Sequence, residues 1–201
     1  MDRLRHLTFP LLLLSLLACE DNKPSGPAPG RFAAVKSAPA EGALRSFCEK
    51  AYPGQGDGTR KYAPPPERPI PGAAPTTSGQ GWRWVNLWAT WCLPCMEELP
   101  LLQKWKDTLA KDGINLQVDL VSVDEDQAEL TKALQKPMPG RVTWMRAVAD
   151  LPVFLDSVGV DKGSPIPVHV LVDPAGNLRC VRVGSVHEGD FGTVKSILSG
   201  A

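Results

Sequence analysis

The sequence predicts an α/β domain in which a central β-sheet is flanked by helices, preceded by a low-complexity N-terminal extension. Three observations lead there. The 201 residues leave room for one ordinary domain plus extensions. Residues 20–80 hold 11 prolines and 8 glycines, the density of a low-complexity segment. From Gly81 onward, apolar β-rich runs alternate with amphipathic stretches, and turn residues separate them.

Taken in chain order, Trp82–Trp88 reads as a buried strand, because it is mostly aromatic and β-branched. Cys95, Leu99, Leu102, Trp105 and Leu109 then recur at spacings of three and four, an amphipathic helix in which Pro100 predicts a kink. Residues 114–123 form a second strand. Residues 125–135 form a helix with Leu130, Ala133 and Leu134 inward, stopped by Pro137 and Pro139. A short strand at 143–147 and a short helix at 151–158 follow. Val168–Val172 is a strand that turns through Asp173-Pro174-Ala175-Gly176-Asn177 into a partner strand at 178–183. Phe191, Val194, Ile197 and Leu198 mark a closing helix. Before Gly81, residues 43–48 read as a short helix docking on the domain. The stretch 62–75, with Pro64-Pro65-Pro66, reads as extended.

Composition excludes one class of partner. Lys plus Arg equals Asp plus Glu, 22 against 22, so there is no basic excess for nucleic acid. The N-terminus is the one segment apolar enough to meet a membrane. Arg3 and Arg5 precede the run Phe9 to Ala18, which has the length of a signal-peptide core and is too short to span a bilayer. It ends in Leu16-Leu17-Ala18-Cys19, which resembles the lipobox of bacterial lipoproteins and makes Cys19 the lipidated first residue of the mature chain. An ordinary signal peptide with an incidental cysteine is the alternative. The expected organisation is a signal peptide at 1–18, a flexible tether at 19–42, a Pro/Gly-rich extension at 43–80 and the α/β domain at 81–201. The expected location is the periplasmic side of the cell envelope, with a lipid bilayer as partner through acylated Cys19.

Export changes the cysteine arithmetic, because thiols outside the cytoplasm tend to be paired, lipidated or catalytic. Besides Cys19 the chain has Cys48, Cys92, Cys95 and Cys180. The C-x-x-C spacing favours Cys92 with Cys95, which leaves Cys48 to face Cys180 as a structural disulfide. Two free buried thiols are the alternative. Cys92 lies between a strand and a helix, where the helix N-terminus stabilises a thiolate and lowers its pKa from about 8.5 towards 7 or below. Cys92 is therefore the expected attacking thiol and Cys95, one turn on, the resolving one. Pro94 costs little in the first helical turn. Zinc would need a second pair of ligands; His169 and His187 lie far from any cysteine with ligand spacing, so no metal is expected.

The segment from Val85 to Pro100, with Trp91-Cys92-Leu93-Pro94-Cys95 at its centre, resembles the active-site segment of thioredoxin-like thiol–disulfide oxidoreductases of the TlpA/ResA type. The resemblance covers about residues 81–201 and implies a thioredoxin-like fold with a central mixed sheet. It implies a membrane-tethered reductase of protein disulfides outside the cytoplasm, some relatives serving cytochrome c maturation. No cofactor beyond the Cys92–Cys95 couple is implied. The implied partners are oxidised protein thiols as substrate and a transmembrane thiol electron donor. The resemblance also implies a cis-proline facing the cysteines, assigned to Ile166-Pro167 rather than Pro165, and a substrate surface made by Trp91, Leu93, Pro94, Ile166 and Pro167.

One departure concerns proton transfer. Thioredoxin carries a buried carboxylate on the strand before the motif, whereas this chain has Asn86, which cannot act as a base. Glu98 is the nearest candidate relay, and a solvated carboxylate on a helix face is an equal reading of it. His169 reads as a plain strand residue and Asp124-Glu125-Asp126 as a helix N-terminus. Competing functions are a disulfide-forming oxidant on the same fold and a copper-binding chaperone using the cysteine pair. A peroxidase is a third, for which the required threonine upstream of Cys92 is missing.

Overall fold

A computed structural model describes residues 40–71 and 80–200. The expected signal peptide at 1–18, Cys19 and the tether up to residue 39 lie outside the described residues. The described chain begins with a helix, α1, at 40–47. Three two-residue strands follow, β1 (Lys50–Ala51), β2 (Arg60–Lys61) and β3 (Glu67–Arg68). Then come β4 (Trp82–Trp88), α2 (Leu93–Lys111), β5 (Leu116–Ser122), α3 (Gln127–Ala133), β6 (Arg141–Met145) and α4 (Asp150–Ser157). The chain closes with β7 (Val168–Val172), β8 (Asn177–Val183), a single 3-10 turn at Glu188–Asp190, and α5 (Phe191–Ser199).

All strands join one mixed sheet in the order β1-β8-β7-β4-β5-β6-β3, with β2 also paired to β8. The central strand β4 runs parallel to β5 and antiparallel to β7. Its burial explains its composition, since a strand covered on both faces must be apolar on both. Only Arg83 among its residues is not fully buried. On one face of the sheet, Trp84 packs against Trp105 of α2 with tilted rings at 5.7 Å and meets Phe47 of α1 edge-on at 6.5 Å. Phe191 of α5 lies 5.8 Å from Trp105, so three helices converge on this one indole pair. On the other face Arg83 bonds Asp119 of β5 and reaches over the Tyr62 ring, against which Phe154 of α4 packs. Burial there pushes the Tyr62 hydroxyl pKa well above its ordinary value.

The thioredoxin-like α/β fold expected from the sequence is the observed one. Two boundaries differ. Residues 40–42, assigned to the tether, are the start of α1. The sheet is not confined to 81–201 either, because β1 and β2 pair with β8, and β3 pairs with β6. Two-residue strands have no periodicity to detect, and the prolines around them conceal the pairing. Cys48 at the end of α1 is disulfide-bonded to Cys180 in β8, next to the β1–β8 pairing. Pro100 lies within α2, which continues through it without a break. The β7–β8 turn uses Gly176 at φ 80°, a conformation that favours glycine, with its N–H donating to Asp173 O at 2.9 Å.

Candidate active site

Strand β4 ends at Trp88 and α2 begins at Leu93, with four residues between them to make the turn at the edge of the core. Asp124, just past β5, holds that turn. Its carboxylate accepts hydrogen bonds from the Thr90 N–H at 3.0 Å, from Thr90 Oγ1 at 2.6 Å and from Ser122 Oγ at 2.7 Å. Asp124 is buried, and the N-cap of α3 is Asp126 instead. Reading 124–126 as one helix N-terminus therefore holds for Asp126 but not for Asp124.

Cys92 is the N-cap of α2, with extended backbone, and its sulfur accepts from the Cys95 N–H at 3.3 Å. The positive end of the helix and its unpaired N–H groups converge on this sulfur, the environment that favours a thiolate once the bond is reduced. Cys92 and Cys95 are joined as a disulfide. Cys92 is 5% exposed and Cys95 is fully buried, so an incoming sulfur reaches Cys92 first. The Ile166–Pro167 peptide bond is cis, and Ile166 O lies 3.9 Å from Cys92 Sγ. Around this point Trp91 (70% exposed) and Leu93 (67% exposed) stand in solvent, Pro94 is exposed and Ile166 is half-buried, while Pro167 is buried. The structure thus gathers Trp91, Cys92, Leu93, Pro94, Cys95, Ile166 and Pro167 at one place. Cys48 and Cys180 form a separate disulfide.

Beneath the cysteines lies a buried polar cluster in which the sequence marked Glu98 and Asn86 but not His169. Glu98 is 3% exposed, so the solvated reading of it does not hold. Three residues after Cys95 on the same helix, it shares Cys95's buried face. Asn86 Nδ2 donates to Glu98 Oε1 at 2.7 Å, and the Val186 N–H donates to Oε2 at 3.1 Å. His169 Nε2 lies 3.5 Å from Oε2, and among the described residues it is the one basic side chain within ion-pair distance of this carboxylate. His169 is not a plain strand residue: it sits opposite Asn86 in the β4–β7 register. That register could have suggested the pair, but nothing in the β7 sequence marks its histidine as polar-paired. Glu98 also lines a cleft of about 530 Å³ that opens between Pro94 and Val186. At the cleft, Lys104 pairs with Glu188 and, through that hydrogen bond first and its charge second, holds the Glu188 carboxyl below its ordinary pKa.

Among the described residues no group of three or more His, Cys, Asp or Glu is placed to hold a metal ion. The hydrogen-bonded carboxylate of Glu98 suits proton movement and the sulfur pair suits two-electron exchange.

No protein-family model matches the chain. It is 24% identical over 110 residues to the thioredoxin-like protein YneN of Bacillus subtilis, a match covering 51% of this chain and 56% of that protein. It is 24% identical over 108 residues to the thiol–disulfide oxidoreductase ResA of Geobacillus thermodenitrificans, covering 54% and 58% respectively. The chain thus spans somewhat over half the length of the curated relatives it matches. The thioredoxin-related protein of Neisseria meningitidis serogroup B superposes with a TM-score of 0.51 at 23% identity, covering 63% of this chain and 93% of that one. That likeness establishes the fold, and the two curated relatives resemble about half of the chain in sequence. The chain thus has the thioredoxin-like fold and is similar in sequence to thioredoxin-like and thiol–disulfide oxidoreductase proteins.

Proposed function

We propose that the protein reduces protein disulfides through Cys92, with Cys95 resolving the mixed disulfide. The observation that carries this reading is the Cys92–Cys95 disulfide at the N-terminus of α2, next to the Ile166–Pro167 cis peptide and ringed by exposed Trp91 and Leu93. In the reduced protein the Cys92 thiolate attacks one sulfur of the substrate disulfide. A Cys92–substrate bond forms, and the other substrate sulfur leaves as a thiolate that takes a proton. Cys95 then gives up its proton, for which Glu98 is the acceptor, and attacks Cys92 Sγ. The mixed disulfide breaks, the second substrate thiol leaves, and the Cys92–Cys95 bond re-forms. Two electrons have passed from the cysteine pair to the substrate, and a dithiol donor must return them.

A flat apolar rim around a nearly buried sulfur suits an extended protein segment, because Trp91 offers a large contact area at little entropic cost. The N-terminal sequence supports a lipid-anchored form acylated at Cys19 on the periplasmic side of the envelope, recharged by a transmembrane thiol donor.

Trapping tests the reading. Cys95→Ser should accumulate a mixed disulfide with its substrate on Cys92, released by a reductant, and Cys92→Ser should trap nothing. Equal trapping by both variants, or none by either, sinks the assignment of roles. Cu(I) titration tests the copper reading: tight stoichiometric binding without disulfide reduction would replace the proposal.

A further inference from the structure

Glu98 has two formed hydrogen bonds, from Asn86 Nδ2 and the Val186 N–H, and one polar neighbour at longer range, His169 Nε2. The other side of the His169 ring explains why that neighbour matters. Trp84 Nε1 donates to His169 Nδ1 at 3.0 Å, and Asn86 Nδ2 stands 3.2 Å from the same nitrogen. Two N–H groups facing Nδ1 leave it only the acceptor role, so the ring's hydrogen sits on Nε2. Nε2 makes no hydrogen bond among the described residues, and Glu98 Oε2 lies 3.5 Å from it. The ring is held in place by an edge-on contact with Trp84 at 5.6 Å and is 1% exposed. An apolar residue would fill this strand position at no polar cost, yet here a buried imidazole with its hydrogen on Nε2 stands beside a carboxylate.

We propose that His169 is a positioning residue for proton transfer, presenting Nε2–H to the Glu98 carboxylate so that Glu98 is kept ready to take the proton of Cys95. The inference rests on the reductase reading above. His169 is 1% exposed and does not touch substrate. It acts through Glu98, holding the carboxylate towards the buried face it shares with Cys95. The ionisable groups around Glu98 come from every element packed on it: Cys95 and Glu97 from α2, His169 from β7, and His187 and Glu188 with Lys104 along the cleft. Asn86 of β4 and Val186 contribute donors without titrating.

The test is single-turnover reduction of insulin by the fully reduced protein, followed from about pH 5 to about pH 9. Removing a donor from a carboxylate favours its protonated form, so more alkaline conditions are needed to free the base. His169→Phe keeps a ring against Trp84 but lacks the donor, and should move the acid limb of the profile up by about one pH unit. His169→Gln can accept from Trp84 and donate to Glu98, and should leave the limb within about a third of a unit. An unmoved limb in His169→Phe, or an equal shift in both variants, overturns the inference. If the unaltered protein does not reduce insulin at all, the reductase reading fails instead. Should His169→Phe not fold, the imidazole 15N resonances of the unaltered protein decide. The Nε2–H tautomer, with a shift that tracks the midpoint of the acid limb, supports the proposal. The Nδ1–H tautomer, or a shift indifferent to that midpoint, overturns it.

Discussion

Asn86 Nδ2 donates to Glu98 Oε1 across 2.7 Å, tying the strand that precedes the cysteines to the helix that begins with them. Strand β4 and helix α2 are thus locked one turn below the reactive bond. The amide at 86 supplies what a second carboxylate could not, a donor to a buried anion.

Replacing that donor should be costly. Asn86→Leu leaves Glu98 with one fewer partner in a buried site, and stability should fall by about 1–3 kcal/mol. Asn86→Asp sets two carboxylates within hydrogen-bonding distance, so one stays protonated in the folded state. Its folded pKa then lies above the unfolded value near 4, and the folded state binds the extra proton. Stability of this variant should fall as pH rises from about 4 through that raised value. Urea melts at several pH values check both; a pH-independent difference between Asn86→Asp and the unaltered protein would contradict the account.

The Cys48–Cys180 bond closes a loop of 132 residues and anchors α1 beside the β1–β8 edge. Replacing both cysteines with serine should cost on the order of 4–5 kcal/mol by the chain-entropy model. Insulin reduction by the remaining folded protein should be unchanged, because this bond is separate from the Cys92–Cys95 pair. Denaturant midpoints and initial rates measure the two effects separately, and a rate that fell with the midpoint unchanged would place this bond in the redox cycle.

Asp124 fastens the turn through Thr90, and its loss acts on both stability and rate. Asp124→Ala strands the Thr90 N–H and the Ser122 hydroxyl in a buried setting, which should cost roughly 2–4 kcal/mol. The thiol of Cys92, two residues on, should also lose its fixed place at the helix terminus. Its alkylation rate at neutral pH is the readout, with a slower rate expected in the folded variant and an unchanged one arguing against the role.

Trp91 separates binding from folding. At 70% exposure, Trp91→Ala should alter stability by no more than about 0.5 kcal/mol. Its loss should raise KM for a protein disulfide about tenfold, as for an aromatic contact worth about 1.4 kcal/mol, and leave the rate with a small disulfide unchanged. Comparable losses on both substrates would argue that the indole acts on the chemistry rather than on the contact.

Long apolar elements were legible in the sequence because their burial is written in their periodicity. Trp82–Trp88 and Val168–Val172 are strands with the expected ends. The cysteine pair was legible too, since a C-x-x-C between a strand and a helix has few chemical uses. What escaped depends on contacts between residues far apart in the chain. Asn86 and Glu98 are close neighbours in sequence, but His169 joins them only through the antiparallel register of β4 and β7. Asp124 looks like a helix-start acid until Thr90 is brought to it from 34 residues away. The strands at 50–51, 60–61 and 67–68 are stabilised by the sheet edges they meet, not by any pattern of their own.

The central claim is that Cys92 and Cys95 form a couple that gives electrons to protein disulfides. The reduction potential of that couple tests it most directly, by equilibrating the protein with glutathione or dithiothreitol buffers and following the thiols by alkylation. A value near that of thioredoxin, about −270 mV, is the predicted result. A value near that of DsbA, about −120 mV, would contradict it and make the protein a donor of disulfides instead.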